Sequence, residues 1–264
     1  MRFFGITLGF CLALASGVHA GKDAGNLQLK VGKPVKEIAF SVDTMTYVEG
    51  NILATFYHEL GHALIDLLKL PVFAREEDAA DSFALVLTER IHAADRAEQI
   101  IRASADQYMQ LDRKDGGYEP DYADTHSPNM VRFFRLVCLY YGGNVDKRDG
   151  FAEDNNLPED RAETCEEERE LAEYAWASVL SGILRTKDGP NWLIIDDVDA
   201  SGDEYINAAQ QVLRTAAKDL NKRFDPGFTL RLDMIDCDED NAFYDPEVPE
   251  IIMCNEYVPP LTRK

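Results

Sequence analysis

The spacing of apolar and polar positions along the chain predicts a mainly helical protein with strands near both ends. Apolar residues recur with helical period from 48 to 70, where Pro71 ends the first helix, and again from about 74 to 94, with more helix to 109. Further helices are expected at 127–141, 158–184 and 203–223, loops at 112–126 and 186–202, and strands at 27–43, 228–232, 241–244 and 250–254. This pattern predicts one α+β domain with a small sheet made from the two chain ends.

The first twenty residues have the pattern of an export signal. Arg2 precedes an apolar stretch from Phe3 to Ala15, and small residues close the segment at Ala20. The stretch is too short to span a bilayer, and no later stretch qualifies as a membrane span. We therefore expect a signal peptide at 1–20, a single domain at 21–264, a secreted or periplasmic location, and no membrane anchor after cleavage.

Charge and cysteine content narrow the class of protein further. The net charge of −21 argues against nucleic acids and anionic membranes as partners. Four cysteines remain once the signal segment is removed, and an even count in an exported protein favours disulfides. Of the three possible pairings, the sequential one brackets two compact units, so we predict Cys138–Cys165 and Cys237–Cys254.

The candidate chemistry begins with the run His58-Glu59-Leu60-Gly61-His62 on the first long helix. Histidines four residues apart lie one turn apart on the same helix face and can bind one metal ion. Glu59 lies beside them, placed to take a proton from a metal-bound water. We therefore predict a single Zn²⁺ per chain held in part by His58 and His62, with Glu59 as general base.

The faces of this helix support the prediction. An apolar arc, represented by Ile52, Phe56 and Leu60, faces away from a strip that holds the histidines, Thr55, Glu59 and Asp66. The remaining positions are small or apolar, so the helix is expected to be buried nearly all round. Buried histidine and glutamate need partners, and a metal ion supplies them. An ordinary solvated strip would carry Lys, Arg or Gln instead.

A catalytic zinc site normally has a third protein ligand, and Glu77 is the best candidate. Glu77 and Asp81 share a face of the second helix, beside the small residues Ala80 and Ala84, which would let the two helices approach closely. Asp81 would then orient a zinc-bound histidine through its other ring nitrogen. Two alternatives stay open: Glu76 is the ligand, or the acidic residues only stabilise a helix N-terminus.

The layout of these motifs resembles that of gluzincin peptidases, HExxH followed by E-x-x-x-D. A metzincin would need Gly at 65 and His at 68, where this chain has Ile65 and Leu68. Residues 51–87 also resemble a bacterial family of exported proteins, without assigned function, that is called metallopeptidase from this motif. The resemblance extends to the tail at 241–254 and implies a zincin-like fold in which two helices carry the zinc ligands.

A second segment, Thr125-His126-Ser127-Pro128 with Arg132, resembles the THPP…R segment of CAAX-prenyl-protease and HtpX-like enzymes. That resemblance implies a catalytic role for His126, which would stabilise the oxyanion of the transition state, and a supporting role for Arg132. This chain has Ser127 where those enzymes have proline. The alternative is that His126 caps the helix that begins at Ser127.

A third segment, Asn241-Ala242-Phe243-Tyr244, resembles the NAFW strand of thermolysin-like enzymes, whose backbone pairs with substrate. In those enzymes the strand precedes HExxH, whereas here it follows by most of the chain, so the role of Asn241, Ala242 and Phe243 rests on analogy. The alternative is an ordinary hairpin stapled by a disulfide.

Two remaining features favour structural roles. His92 lies among charged residues and is expected at the surface. Asp197–Asp203 resembles the first half of a calcium loop, but Ala208 stands where the bidentate glutamate is due, so a polar turn before a helix is favoured.

These observations lead to two hypotheses. The first is a zinc peptidase that acts on peptide or protein substrates, with endo- and exopeptidase action both open. The second is a non-catalytic metal-binding or interaction protein on a zincin scaffold. A site with three protein ligands and an intact Glu59 favours the enzyme.

Overall fold

The computed structural model describes residues 43–114, 119–196 and 200–262, and its helices follow the predicted order. The first helix, α1, begins at Thr44, four residues earlier than expected, because the side chain of Asp43 accepts a hydrogen bond from the backbone N–H of Thr46 at 3.0 Å. The helices are α1 (Thr44–Leu67), α2 (Glu76–Ile91), α3 (Ala94–Lys114), α4 (Asn129–Gly142), α5 (Val145–Asp154), α6 (Glu159–Ala162), α7 (Cys165–Gly182), α8 (Glu204–Arg223) and α9 (Val258–Leu261).

Helix α5 was not predicted from the sequence. Its pattern is weakly amphipathic, and its packing depends on one aromatic residue, Phe151, whose ring lies 4.7 Å from that of Tyr140 on α4. The helix expected at 158–184 is instead divided into α6 and α7.

The sheet consists of β1 (Leu193–Ile195), β2 (Leu230–Ile235), β3 (Ala242–Asp245) and β4 (Glu250–Cys254), in the order β1-β2-β4-β3. Strands β1, β2 and β4 run parallel to one another. Strand β3 pairs antiparallel with β4 at the edge of the sheet, with Ala242 opposite Met253. The three tail strands were predicted, but β1 lies inside a predicted loop. It forms because Asn221 on α8 hydrogen-bonds the backbone of Trp192 and Leu193. The strands expected at 27–43 lie outside the described residues.

The core forms around α1, which is buried on nearly every face as predicted. Helix α2 packs closely against it, because Gly61 on α1 faces Ala80 on α2 without an intervening side chain. The α+β class, mainly helical with a small sheet, is confirmed. The described residues belong to one compact unit covering Val35–Lys264.

Both predicted disulfides are present. Cys138–Cys165 joins α4 to the start of α7, and Cys237–Cys254 joins the segment after β2 to the end of β4. Within the described part of the chain, no helix is both long and apolar enough to cross a membrane. The two disulfides are compatible with an extracellular location, and the predicted signal peptide lies outside the described residues.

Candidate metal centre and active site

Three possible metal ligands meet where α1 packs against the first turn of α2. His58 Nε2 and His62 Nε2 lie 3.1 Å apart. Glu77 Oε2 lies 3.2 Å from His58 Nε2 and 3.4 Å from His62 Nε2. The helical spacing of the two histidines and the close approach of α2 together bring the predicted ligand set to one point.

The donor atoms fit a small divalent cation. Zinc bonds to histidine nitrogen and carboxylate oxygen are about 2.0–2.2 Å long, so the corners of a tetrahedral zinc site lie about 3.3 Å apart. The three observed separations of 3.1, 3.2 and 3.4 Å have that size. Two imidazole nitrogens and a carboxylate oxygen are also ligand types that zinc prefers.

The far nitrogen of His58 contacts a buried acidic residue. His58 Nδ1 lies 2.9 Å from Asp81 Oδ1. Arg132 in turn donates to both oxygens of Asp81, from Nε at 2.8 Å and from Nη2 at 2.6 Å, and Tyr108 donates its hydroxyl at 3.1 Å. Burial alone would raise the pKa of Asp81, but Arg132 and His58 hold it well below its usual range. Asp81 therefore stays ionised and can fix the ring of His58.

The far nitrogen of His62 has a carboxylate partner too. His62 Nδ1 lies 2.8 Å from Glu76 Oε1, and the side chain of Glu76 is 50% exposed. Glu77, by contrast, faces both Nε2 atoms. The arrangement therefore gives the two neighbouring glutamates different positions, with Glu77 at the shared centre and Glu76 behind one histidine.

His126 lies against the candidate ligand Glu77. His126 Nε2 is 3.0 Å from Glu77 Oε2, while the carboxylate of Asp124 accepts from the backbone N–H of His126 at 2.7 Å and lies 3.3 Å from its Nδ1. Burial would raise the pKa of Glu77, but the hydrogen bonds from His126, His58 and His62 lower it far below the ordinary value. His126 is half-exposed, so its ring is accessible from solvent.

The alternative role of His126 as a helix cap is wrong. Helix α4 begins at Asn129, and Pro128 occupies the cap position without a side-chain hydrogen bond. Ser127, which departs from the resembled motif, donates its hydroxyl to Asp78 on α2 at 2.9 Å. The segment before α4 is thus attached to α2 rather than to its own helix.

Arg75, a residue that sequence reasoning did not single out, holds this segment in place. It precedes α2, and its Nη1 donates to the backbone carbonyls of Asp124 and His126, both at 2.9 Å. The carbonyls of Thr125 and Tyr122 lie at 3.4 and 3.5 Å from the same guanidinium. The only sequence signal was an arginine directly before an acidic helix start.

Glu59 is buried beside the three ligands and faces the edge strand. The backbone N–H of Tyr244 on β3 is near enough to its carboxylate to lower the pKa of Glu59 slightly. Burial raises the pKa of Glu59, against the lowering effect of His58 and His62. The hydroxyl of Tyr244 donates to Asp66 on α1 at 2.8 Å, which ties β3 to the helix.

The predicted substrate strand therefore lies next to the candidate general base. Ala242 and Phe243 belong to β3, and Asn241 directly precedes it, with its carbonyl accepting from Cys254 N–H at 3.1 Å. The alternative reading of this segment as a disulfide-stapled hairpin also describes the structure, since β3 and β4 are antiparallel neighbours. The two descriptions are compatible because β3 is an edge strand.

Two other expectations have clear outcomes. His92 is half-buried rather than on the open surface, and its Nε2 lies 2.8 Å from the hydroxyl of Tyr57. Asp203 caps α8 by accepting from the backbone N–H of Tyr205 and Ile206, which agrees with a polar turn before a helix. Residues 197–199 of the calcium-like segment lie outside the described residues.

Comparison with known proteins adds one finding. The sequence model of a family described as "Putative metallopeptidase" matches residues 26–180. The matched part contains the segments that carry His58, Glu77 and His126, and it ends before the tail at 241–254. Searches of curated proteins and of solved structures return no match.

Proposed function

Because the chain belongs to that metallopeptidase family, we propose that it is a zinc-dependent peptidase of the gluzincin type. One Zn²⁺ would be held by His58, His62 and Glu77. The observation that carries the proposal is the convergence of the three donor atoms, 3.1 to 3.4 Å from one another, while both histidine Nδ1 atoms contact carboxylates. This is the arrangement that directs imidazole lone pairs toward a metal ion.

The surrounding residues support a hydrolytic role. When bound, zinc supplies a Lewis acid and lowers the pKa of a water ligand. Glu59 would take the proton of the attacking water on its carboxylate and pass it to the nitrogen of the leaving amine. His126, half-exposed beside Glu77, would donate from Nε2 to the developing oxyanion. The backbone of Ala242 and Phe243 would align the substrate as an added strand.

The rival hypothesis is a non-catalytic metal-binding protein. A purely structural zinc site is closed by four protein ligands and needs no general base. The ligand cluster formed by His58, His62 and Glu77 supplies three, which leaves a fourth position for water or substrate. Glu59 is buried beside this cluster with its charge only partly compensated, a cost that a structural site has no reason to carry.

Metal analysis combined with a cleavage assay tests the proposal. The mature protein should bind one zinc per chain and cleave an unstructured protein such as casein. His62→Ala should lose stoichiometric zinc, whereas Glu59→Gln should keep zinc and lose cleavage. His92→Gln serves as the matched histidine control and should retain both. Full zinc occupancy in His62→Ala, or undiminished cleavage by Glu59→Gln, would overturn the assignment.

The proposal includes an exported location and a peptide or protein substrate. The two disulfides and the predicted signal peptide support export, and the strongly acidic composition argues against nucleic acid as a partner. N-terminal sequencing of the secreted or periplasmic protein should give a start at about Gly21.

A further inference from the structure

A cavity of about 280 Å³ opens beside the candidate metal centre. Its lining includes Glu59 and His126 at the centre itself and Ala242 on the edge strand β3. From there it extends between α1, α2, α3 and α4 to the buried side chains of Ile100 and Leu139, which are 1% and 6% exposed. A side chain that flanks a bond held at the metal centre could therefore enter it.

Several polar groups inside this cavity are neutral and already hydrogen-bonded to one another. The hydroxyl of Tyr257 accepts from Gln107 Nε2 at 2.6 Å and lies 2.8 Å from the hydroxyl of Thr55. Between these groups the walls are apolar, formed by short and branched side chains from the four helices. These include Ala54, Ala84, Leu85, Leu111 and Leu136.

Two of the buried cationic groups along the wall have acidic partners, whereas Glu59 is only partly compensated and the exposed residues Lys114 and Asp240 also line the cavity. Arg132 binds both oxygens of Asp81, which also contacts His58. Arg135 is paired with Asp78. A lysine or glutamate side chain that entered the cavity would lose its hydration, while the buried Arg132 and Asp81 are already engaged with each other, so its entry is unfavourable.

The size of the cavity selects for a large side chain. A protein cavity of roughly 150 Å³ lined by apolar groups is already sufficient to bind benzene. At about 280 Å³ this cavity exceeds that volume, so alanine or glycine would leave most of it unfilled. From its position, its apolar inner walls and its volume, we infer that the cavity is a substrate pocket for a large uncharged side chain, aromatic or long aliphatic, next to the scissile bond. This inference rests on the proposed peptidase function.

The inference can be tested with two hydroxamates that differ only in the side chain next to the zinc-binding group. This side chain is benzyl in one compound and methyl in the other. With the zinc-loaded mature protein the benzyl compound should bind at least ten times more tightly, since filling an apolar pocket with several carbons is worth that much or more. Isothermal titration calorimetry measures both affinities. The comparison does not depend on knowing a substrate.

The outcomes separate the two proposals. If both compounds bind with equal affinity, the pocket inference is wrong while the open metal site stands. If neither binds although zinc is present, the site is closed and the proposed function fails together with the pocket.

A cavity-filling variant, Ala84→Leu, makes the test specific to this cavity. It should reduce binding of the benzyl compound at least fivefold and leave the methyl compound within twofold, because only the larger group needs the space. Ala175→Leu, at an exposed position on α7, is the matched control and should change neither affinity. A benzyl preference that persists unchanged in folded Ala84→Leu would show that the large group binds elsewhere and would overturn the inference.

Discussion

Gly61 on α1 faces Ala80 on α2 so closely that a methyl group on Gly61 would lie 3.0 Å from the Cα of Ala80 and 3.2 Å from its Cβ. The contact is to backbone, so α2 itself would have to move to admit a side chain. Glu77 lies one turn before Ala80 on the same helix. The absence of a side chain at Gly61 therefore sets the distance between the HExxH histidines and Glu77.

Gly61→Ala should weaken zinc binding by about tenfold or more while changing thermal stability little. Alanine raises helix propensity by about 1 kcal/mol relative to glycine, and the displacement of α2 offsets that gain. Gly150→Ala in α5 is the matched control, because nothing lies within 4 Å of a methyl group there. Competition titration against a zinc chelator would measure the affinities, and equal zinc affinity in Gly61→Ala and wild type would contradict the role given to this contact.

The neighbouring glutamates of α2 should respond unequally to substitution. Glu77→Ala should lose most zinc affinity, because Glu77 Oε2 lies within 3.4 Å of both Nε2 atoms. Glu76→Ala should cost about tenfold, since Glu76 contacts only His62 Nδ1 from a half-exposed position. Sequence reasoning had left Glu76 open as the ligand in place of Glu77. A larger loss of zinc in Glu76→Ala than in Glu77→Ala would reverse the two assignments.

Sequence periodicity was sufficient to predict which of the candidate site residues share one face of a single helix. The four-residue spacing of His58 and His62, and of Glu77 and Asp81, places each pair on one face whatever the tertiary fold. Tail strands β2 to β4 could also be predicted locally, but for a different reason. The β-branched and aromatic residues of this region favour extended backbone.

The remaining features depend on contacts between distant segments. Strand β1 exists because Asn221, 28 residues away in the chain, bonds its backbone. Arg75 reaches carbonyls about fifty residues further along. His92 lies among charged residues in the sequence, but in the structure its ring contacts the hydroxyl of Tyr57. No local pattern encodes such pairings, so sequence reasoning placed His92 at the surface and passed over Arg75.

The protein should become less stable as the pH falls through the range in which His92 is protonated in the unfolded chain. Burial, followed by Arg96 and Arg223, lowers the pKa of His92 from 6.5 to about 4. Between those values the unfolded chain binds a proton that the folded protein excludes, so the free energy of unfolding decreases as pH falls from about 6.5 to 4. His92→Gln lacks this titration and should show a shallower decrease. Urea unfolding at several pH values, with EDTA present throughout, measures the difference, and parallel curves for the two proteins would exclude the effect.

Arg75 should act as a positioning residue for His126. Removing its donors frees the carbonyls of Asp124 and His126, and a shift of about 1 Å in a catalytic group can cost roughly a hundredfold in rate. Arg75→Ala should therefore lower kcat by about ten- to a hundredfold, with KM and zinc content unchanged. Arg113→Ala, at an exposed position in the last turn of α3, is the matched control. A loss of zinc in Arg75→Ala, or an unchanged kcat, would contradict the positioning role.

Substitution of His126 distinguishes two roles for this residue, a donor to the oxyanion and an additional metal ligand. Its Nε2 lies 3.0 Å from Glu77 Oε2, and Asp124 holds the other side of the ring. As a donor to substrate, His126 is dispensable for zinc, so His126→Ala should keep one zinc per chain and normal stability. Its kcat should fall by about a hundredfold, the usual cost of losing an oxyanion donor.

The competing role gives the opposite pattern. If His126 binds the metal, His126→Ala loses zinc affinity by orders of magnitude, and added zinc restores part of the activity. Asp124→Asn supplies the second measurement, since it keeps His126 but weakens the contact at Nδ1. A donor role predicts an intermediate fall in kcat for Asp124→Asn at full zinc occupancy. Zinc titrations and kcat for both variants, measured on the same preparations, distinguish the two roles because only the ligand role couples activity to metal content.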